Sequence, residues 1–203
     1  MKILAFDTCL DKMYVTLAQD DKILASEVVE NTDSKYHSAF LISTIKNILK
    51  RNNLQPADLN AIGTNIGPGS FTGIRACTTV ARVMAQQLNI PAVGVSSLEI
   101  LEQLTASDRL IALDARKNSA YLRVNGETKG AVSIDTIKEF INNGKYNIIT
   151  DNKLLPVLGG ISYQSEKYPL GEILAKLVYK KLQNGKYNWQ DLKPLYIQPP
   201  PGI

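Results

Sequence analysis

Histidine and cysteine are nearly absent from these 203 residues: there is one histidine, His37, and there are two cysteines, Cys9 and Cys77. Ser-His and Cys-His nucleophile pairs both need an imidazole beside the nucleophile. With a single histidine, read as a helix N-terminal residue making an ordinary hydrogen bond, those arrangements are excluded. The cysteines are far apart and form no Cys-x-x-Cys, which excludes a disulfide framework or a zinc knuckle and points to a reducing cytoplasm. Both are read as small buried hydrophobes. Long apolar runs are missing as well. The opening MKILAFDT has one Lys and a short apolar stretch ended by Asp7, unlike a signal peptide, and no run approaches a membrane span. Charge is not gathered in one place: 23 Lys and Arg stand against 19 Asp and Glu, a scattered excess of +4. A dedicated nucleic-acid binder carries a basic stripe with interleaved aromatics, whereas Lys46, Lys50 and Arg51 read as the solvated side of one helix.

What is present suffices for a soluble globular protein, since 44% of the residues are hydrophobic and can fill one large domain or two small lobes. Residues 3–7, 13–18 and 23–29 read as strands separated by polar turns, an opening meander. Over residues 36–51, Phe40, Leu41, Ile45, Ile48 and Leu49 recur at helical spacing. A short strand at 61–65 leads into Gly67-Pro68-Gly69-Ser70-Phe71-Thr72-Gly73 and then a helix over 72–88, stopped by Asn89 and Pro91. The second half repeats the first. Leu4-Ala5-Phe6-Asp7 precedes Tyr14-Val15-Thr16-Leu17 as Ile111-Ala112-Leu113-Asp114 precedes Tyr121-Leu122-Arg123-Val124, with seven residues from Asp to Tyr each time. A strand near 131–134, a helix over 135–142, a strand at 147–150 and a helix over 170–182 complete the parallel. The expectation is an α/β protein of two duplicated βββαβα lobes, the actin-like (ASKHA) architecture. Residues 1–100 form a first lobe with the glycine loop, and 101–203 form a smaller, degenerate lobe whose tail, Pro199-Pro200-Pro201-Gly202, neither pairs nor coils.

Catalytic proteins of that architecture hold phosphate at the turn after the first strand, with an Asp to organise magnesium and glycines to approach the anion. Here the turns Asp7-Thr8-Cys9-Leu10-Asp11-Lys12 and Asp114-Ala115-Arg116-Lys117-Asn118 contain no glycine. A carboxylate capping its own turn is the reading preferred for Asp7 and Asp114. The loop at 67–73 has the place of an anion site but not its spacing: Ile74 stands where a Walker lysine belongs, and the pattern G-x-G-x-x-x-G differs from the dinucleotide fingerprint. It reads as a rigid strand-to-helix turn, with Pro68 fixing φ, glycines allowing close backbone approach, and Ser70 or Thr72 capping the helix.

As a whole string GPGSFTGIR, with ILAFDT, His37, VGVSSLE at 93–99, LDARKN and KPLYIQ, resembles the TsaB/YeaZ family over essentially the full length. The end departs from it, running to Ile197-Gln198-Pro199 where the family often has an Arg. The resemblance implies a non-catalytic subunit that pairs with its paralogue TsaD in making N6-threonylcarbamoyladenosine at tRNA position 37. It also implies TsaE as third partner, a homodimer when TsaD is absent, and tRNA reached through the complex, with direct contact open. ATP or ADP and metal are expected on the partner subunits and no cofactor on this chain. TsaD carries His-x-x-x-His, whereas Leu41 stands four residues after His37, so His37 is not expected to build a metal site. The alternative is an enzyme, an ASKHA phosphotransferase or a metallopeptidase-like protein. Catalytic residues are not expected. The motif loop with Arg75 is the family's mark, and the partner interface is placed on Phe40, Ala76, Val80 and Val83. Those three helix residues form a second apolar strip beside the Ile74, Cys77, Ala81, Met84, Ala85 and Leu88 stripe.

Overall fold

The computed structural model describes residues 1–30 and 37–197; the expected helix start at Tyr36 and the proline tail lie outside them. The chain forms two units, the first comprising Met1–Ser97 with Pro169–Leu195 and the second built on Leu98–Tyr168.

In the first unit the strands β1 (Lys2–Asp7), β2 (Met13–Gln19), β3 (Lys22–Val29), β4 (Ala61–Asn65) and β5 (Ala92–Val95) form one sheet in the order β3-β2-β1-β4-β5. The first three are an antiparallel meander, and β4 and β5 run parallel to β1. Both faces of β1 are buried, so it reads as a continuous apolar run, while the edge strand β3 alternates. One face carries α1 (Leu41–Arg51) and α2 (Phe71–Leu88). Leu41, Ile45, Ile48 and Leu49 of α1 and Ile74, Cys77, Ala81 and Ala85 of α2 share a core with Leu4, Phe6 and Val15. Lys46, Lys50 and Arg51 face solvent, as their spacing predicts. Ser70 caps α2, its Oγ accepting from the Gly73 N–H at 3.2 Å, and Asn89 ends it in a left-handed turn at φ 53°.

The second unit repeats this order. Its strands β6 (Arg109–Asp114), β7 (Ser119–Val124), β8 (Glu127–Ser133), β9 (Asn147–Thr150) and β10 (Ile161–Ser162) are arranged β10-β9-β6-β7-β8. Leu110, Ala112, Ala120 and Leu122 pack with Ile134 and Ile137 of α4 (Ile134–Asn142) and with Leu158, the end of α5 (Leu155–Leu158). The short α3 (Ser97–Glu102) is pinned by the buried Glu102, which accepts from the Arg123 Nε at 2.9 Å and the Gly126 N–H at 2.6 Å.

The ASKHA fold with duplicated lobes is present; its division at residue 100 needs one correction. The final helix, α6 (Leu170–Asn184), does not close the second lobe but covers the free face of the first sheet. Gly171 lies against Tyr14 and Thr16, and Gly63 of β4 makes room for Val178. Helical periodicity shows that α6 has an apolar face but not which sheet receives it. That choice rests on two glycines whose missing Cβ lets helix and sheet approach closely.

Candidate functional site

The segment with the most distinctive sequence, Gly67 to Gly73, joins β4 to α2 and folds against the β1–β2 turn. Gly67 takes φ +100°, a left-handed conformation that suits glycine. Its N–H donates to Asn65 Oδ1 at 2.8 Å. The Asn65 amide in turn donates to Asp7 Oδ2 at 2.9 Å, and Asp7 Oδ1 accepts from the Cys9 N–H at 2.6 Å. Asp7 is buried and both its carboxylate oxygens have partners inside the chain.

The loop's other bonds run to the same turn. The Ser70 N–H donates to the Cys9 carbonyl at 2.8 Å, and Thr8 Oγ1 donates to the Gly73 carbonyl at 2.7 Å. A Cβ on Gly69 would meet the Cys9 carbonyl and one on Gly73 the Thr8 carbonyl. Neither glycine has a left-handed φ, so close backbone approach, not conformation, requires them. The inner side of the loop and the first turn of α2 are therefore filled by the chain's own backbone. Gly67, Pro68 and Gly73 are buried, while Gly69, Ser70, Phe71, Thr72 and Arg75 are exposed. The Arg75 guanidinium lies 5.5 Å from the centre of the Phe71 ring.

The second unit has the same turn. Asp114 Oδ1 accepts from the Arg116 N–H at 2.9 Å, as Asp7 does from Cys9, and Oδ2 pairs with Lys153 Nζ at 2.9 Å. Partial burial pulls this carboxyl upward, but the Lys153 and Arg116 hydrogen bonds and charges outweigh it, and its pKa falls below the ordinary value. Asp114 raises that of Lys153 in return. The capping reading of both aspartates thus agrees with the geometry. Arg116, Lys117 and Asn118 all lie at positive φ, between 49° and 63°, so the turn is left-handed without glycine.

One grouping was not legible in the sequence. Asp7, Cys9 and Cys77 bring ligand atoms within 4.8 Å of one another. Burial first, and then the Cys77 and Asp7 neighbours, push the Cys9 thiol well up, whereas a metal needs thiolate. The Cys9 thiol instead donates to the Asn65 carbonyl at 3.4 Å, and Cys77 Sγ accepts from the Thr8 N–H at 2.9 Å. The cluster, with its buried Cys9 thiol and internal hydrogen bonds, fits packing better than metal ligation.

The interface residues divide. Phe40 and Val80 are half-buried and pack against the first core, and Ala76 is half-buried. Val83 is 53% exposed. Ile42 on α1, 60% exposed, and Phe71 on α2, 45% exposed, are further exposed apolar side chains. Ile42 escaped notice because its neighbours supply a complete amphipathic face without it. His37 opens a 3-10 turn, His37–Phe40, before α1; its side chain lies outside the described part.

Among known proteins, the family model of TsaD, tRNA N6-adenosine threonylcarbamoyltransferase, matches residues 22–147, more than half of the chain. The tRNA threonylcarbamoyladenosine biosynthesis protein TsaB of Bacillus subtilis is 35% identical over 124 residues, 60% of this chain and 53% of that protein. Its namesake in Escherichia coli is 31% identical over 126 residues, again 60% and 53%. The aligned stretch thus spans about half the length of these curated relatives. The solved structure of YeaZ from Pseudomonas aeruginosa superposes with a TM-score of 0.77, covering 97% of this chain and 100% of that one at 20% identity, a likeness of fold. The family model, these relatives and that fold agree: the chain belongs to the TsaB/YeaZ family.

Proposed function

We propose that this chain is the non-catalytic, dimer-forming subunit of the cytoplasmic machinery that makes N6-threonylcarbamoyladenosine in tRNA, pairing with a TsaD transferase. It works with TsaE, forms a homodimer when TsaD is absent, and meets tRNA through the complex. Nucleotide and metal belong to the partner subunits. The observation that carries this reading is the closed glycine loop. A phosphate cradle needs backbone N–H groups free to face an anion, whereas Ser70 N–H, Gly67 N–H and both oxygens of Asp7 are bonded within the chain.

We place the pairing surface on the exposed side of α2 at Val83, flanked by Ala76, Val80 and Phe40. Val80 already packs on the core, so Val83 is the cleaner place to test. A charge there stays solvated in the free chain and is stranded on association, at a cost of several kcal/mol. Co-expression with TsaD of the same genome tests both parts. The wild-type chain should co-elute with TsaD, and modified nucleoside, read by mass spectrometry, should form only with both. Val83→Glu should give a folded chain that no longer co-elutes. Co-elution of Val83→Glu at wild-type yield would move the interface elsewhere, and ATP turnover by the isolated chain with magnesium would replace the scaffold reading with the phosphotransferase one.

A further inference from the structure

We infer that this chain touches RNA itself, through a stripe of lysines on α6 and the segment after it that takes the phosphate backbone of tRNA. The inference rests on the reading above for which RNA is bound, but not on the α2 pairing surface, since α6 covers the other face of the first sheet. Charged residues are spread along the whole chain, yet their excess is local. Residues 173–193 hold five lysines, Lys176, Lys180, Lys181, Lys186 and Lys193, against one carboxylate, Asp191, a surplus of +4. That equals the net charge of the entire chain, leaving 18 basic and 18 acidic residues elsewhere. All of 173–193 belongs to the first unit.

The fold turns this local surplus into a surface. Leu170, Gly171, Leu174, Ala175 and Val178 form the buried side of α6. At about 100° per residue, Lys176 and Lys180 stand opposite that side, one turn apart and exposed. Lys186 and Lys193 follow the helix and border one cleft of about 360 Å³ together with the exposed Tyr187, beside Ala92 and Gly94 of β5. The stripe therefore runs from the outside of α6 to the β5 edge of the sheet. Its last part stands on a fixed base: Leu192 is buried in the first core, its carbonyl accepts from the Arg82 guanidinium at 3.3 Å, and the Leu195 N–H donates to the Ile66 carbonyl at 2.8 Å. Among the described residues, no ion pair engages Lys176, Lys180, Lys186 or Lys193. Like charges one turn apart destabilise a helix. The helix dipole favours a cation in the last turn, which accounts for Lys181 but neither for Lys176 nor for the lysines beyond the helix. Four ammonium groups without internal partners fit a polyanion. The exposed Tyr187 ring among them favours RNA over an acidic peptide, because RNA offers bases to stack as well as phosphates to neutralise.

Fluorescence anisotropy with an unmodified tRNA transcript as probe and the full chain as titrant tests this between about 50 and 200 mM salt. Neutralising four phosphates gives the plot of log K against log salt a slope of about −3 to −4. Lys176→Gln with Lys180→Gln should flatten that slope by about 2 and weaken binding on the order of tenfold at the low-salt end. Lys46→Gln with Lys50→Gln removes the same charge from α1, on the other face of the sheet, and should leave slope and affinity as they are. Because RNA binding is read without TsaD, it stands or falls apart from the pairing reading. The Lys176→Gln, Lys180→Gln chain should still co-elute with TsaD, which separates loss of RNA contact from loss of pairing. A wild-type slope near zero, a slope that the α6 variant does not move, or an equal effect of the α1 variant would overturn the inference. So would loss of TsaD co-elution in the α6 variant, or displacement of the RNA by polyglutamate at equal charge, which would assign the stripe to an acidic protein segment.

Discussion

Replacing Gly73 by alanine tests directly whether the glycine loop is a packing device. The new methyl would stand on the Thr8 carbonyl, with the Thr8 carbonyl carbon and Cys9 Cα behind it. These are backbone atoms of a buried turn and cannot swing aside, so α2 must lift from the end of β1. Lifting breaks the Ser70 N–H to Cys9 carbonyl bond and the Thr8 Oγ1 to Gly73 carbonyl bond. At about 1 kcal/mol each, with about 1–3 kcal/mol for overpacking, the first unit should lose about 3–5 kcal/mol. That is a large part of the roughly 5–15 kcal/mol that holds a domain together. The single tryptophan, Trp189, packs against the core that α2 helps to build, so its emission follows this unit during urea unfolding. With an m-value of about 2 kcal/mol/M the midpoint should fall by about 2 M. Gly185→Ala is the matched control, since its nearest neighbour is the movable Tyr187 ring at 3.3 Å, and it should stay within about 0.5 kcal/mol of wild type. A Gly73→Ala chain that unfolds with the control, yet fails to support tRNA modification, would show that the loop acts on a ligand or partner and that its packing is incidental.

Two further substitutions separate the units. Gly171→Val places side-chain atoms on Thr16 Oγ1 and Tyr14 Cβ, which a Cβ alone would approach to 2.6 and 2.9 Å; the Trp189 transition should shift by about 1–3 kcal/mol, and an unchanged midpoint would mean that α6 does not pack on the first sheet. Glu102→Leu strands Arg123 and the Gly126 N–H, and at about 3–5 kcal/mol for a broken buried pair it should speed amide exchange in β7 and β8 while leaving the Trp189 transition in place. Coincident loss in both probes would refute that separation.

Local pattern carried most of the elements. The strand at 147–150 lies where the Ile148-Ile149 pair between polar residues predicts it, and α2 begins one residue before the predicted start because Ser70, a short hydroxyl side chain able to cap, precedes it. The repeat was legible because in both halves a strand ending in Asp is followed by an antiparallel partner strand carrying the Tyr, although the registers differ by one residue: Asp7 pairs with Tyr14, whereas Asp114 pairs with Ala120. What escaped was information held between distant residues. The helical character of 170–184 was plain, but its place on the first sheet depends on Gly63 and Gly171. The meeting of Cys9 with Cys77 likewise follows from α2 docking on the β1–β2 turn. β5 was overlooked as a strand because four residues, Ala92-Val93-Gly94-Val95, are too few to establish a period.

The two aspartate turns show how a shared scaffold is directed to different ends. Each ends the first strand of its meander, and each Asp spends one oxygen on the N–H two residues ahead. They differ in what takes the second oxygen. In the second unit it is Lys153, a side chain that is mostly exposed and exchanges readily with water, so this contact contributes little to stability. In the first unit it is the Asn65 amide, which is buried and also receives the Gly67 N–H, so the loop, β4 and β1 are joined in one bonded unit. Buried polar networks of this kind are rigid when complete and costly when broken. A glycine-rich loop so joined has no free inner N–H groups to offer at these positions, and its exposed residues, Phe71, Thr72 and Arg75, project outward from a fixed base. That is the condition for presenting a surface with little entropy to lose on association, and these three residues lie on the same helix as Val83.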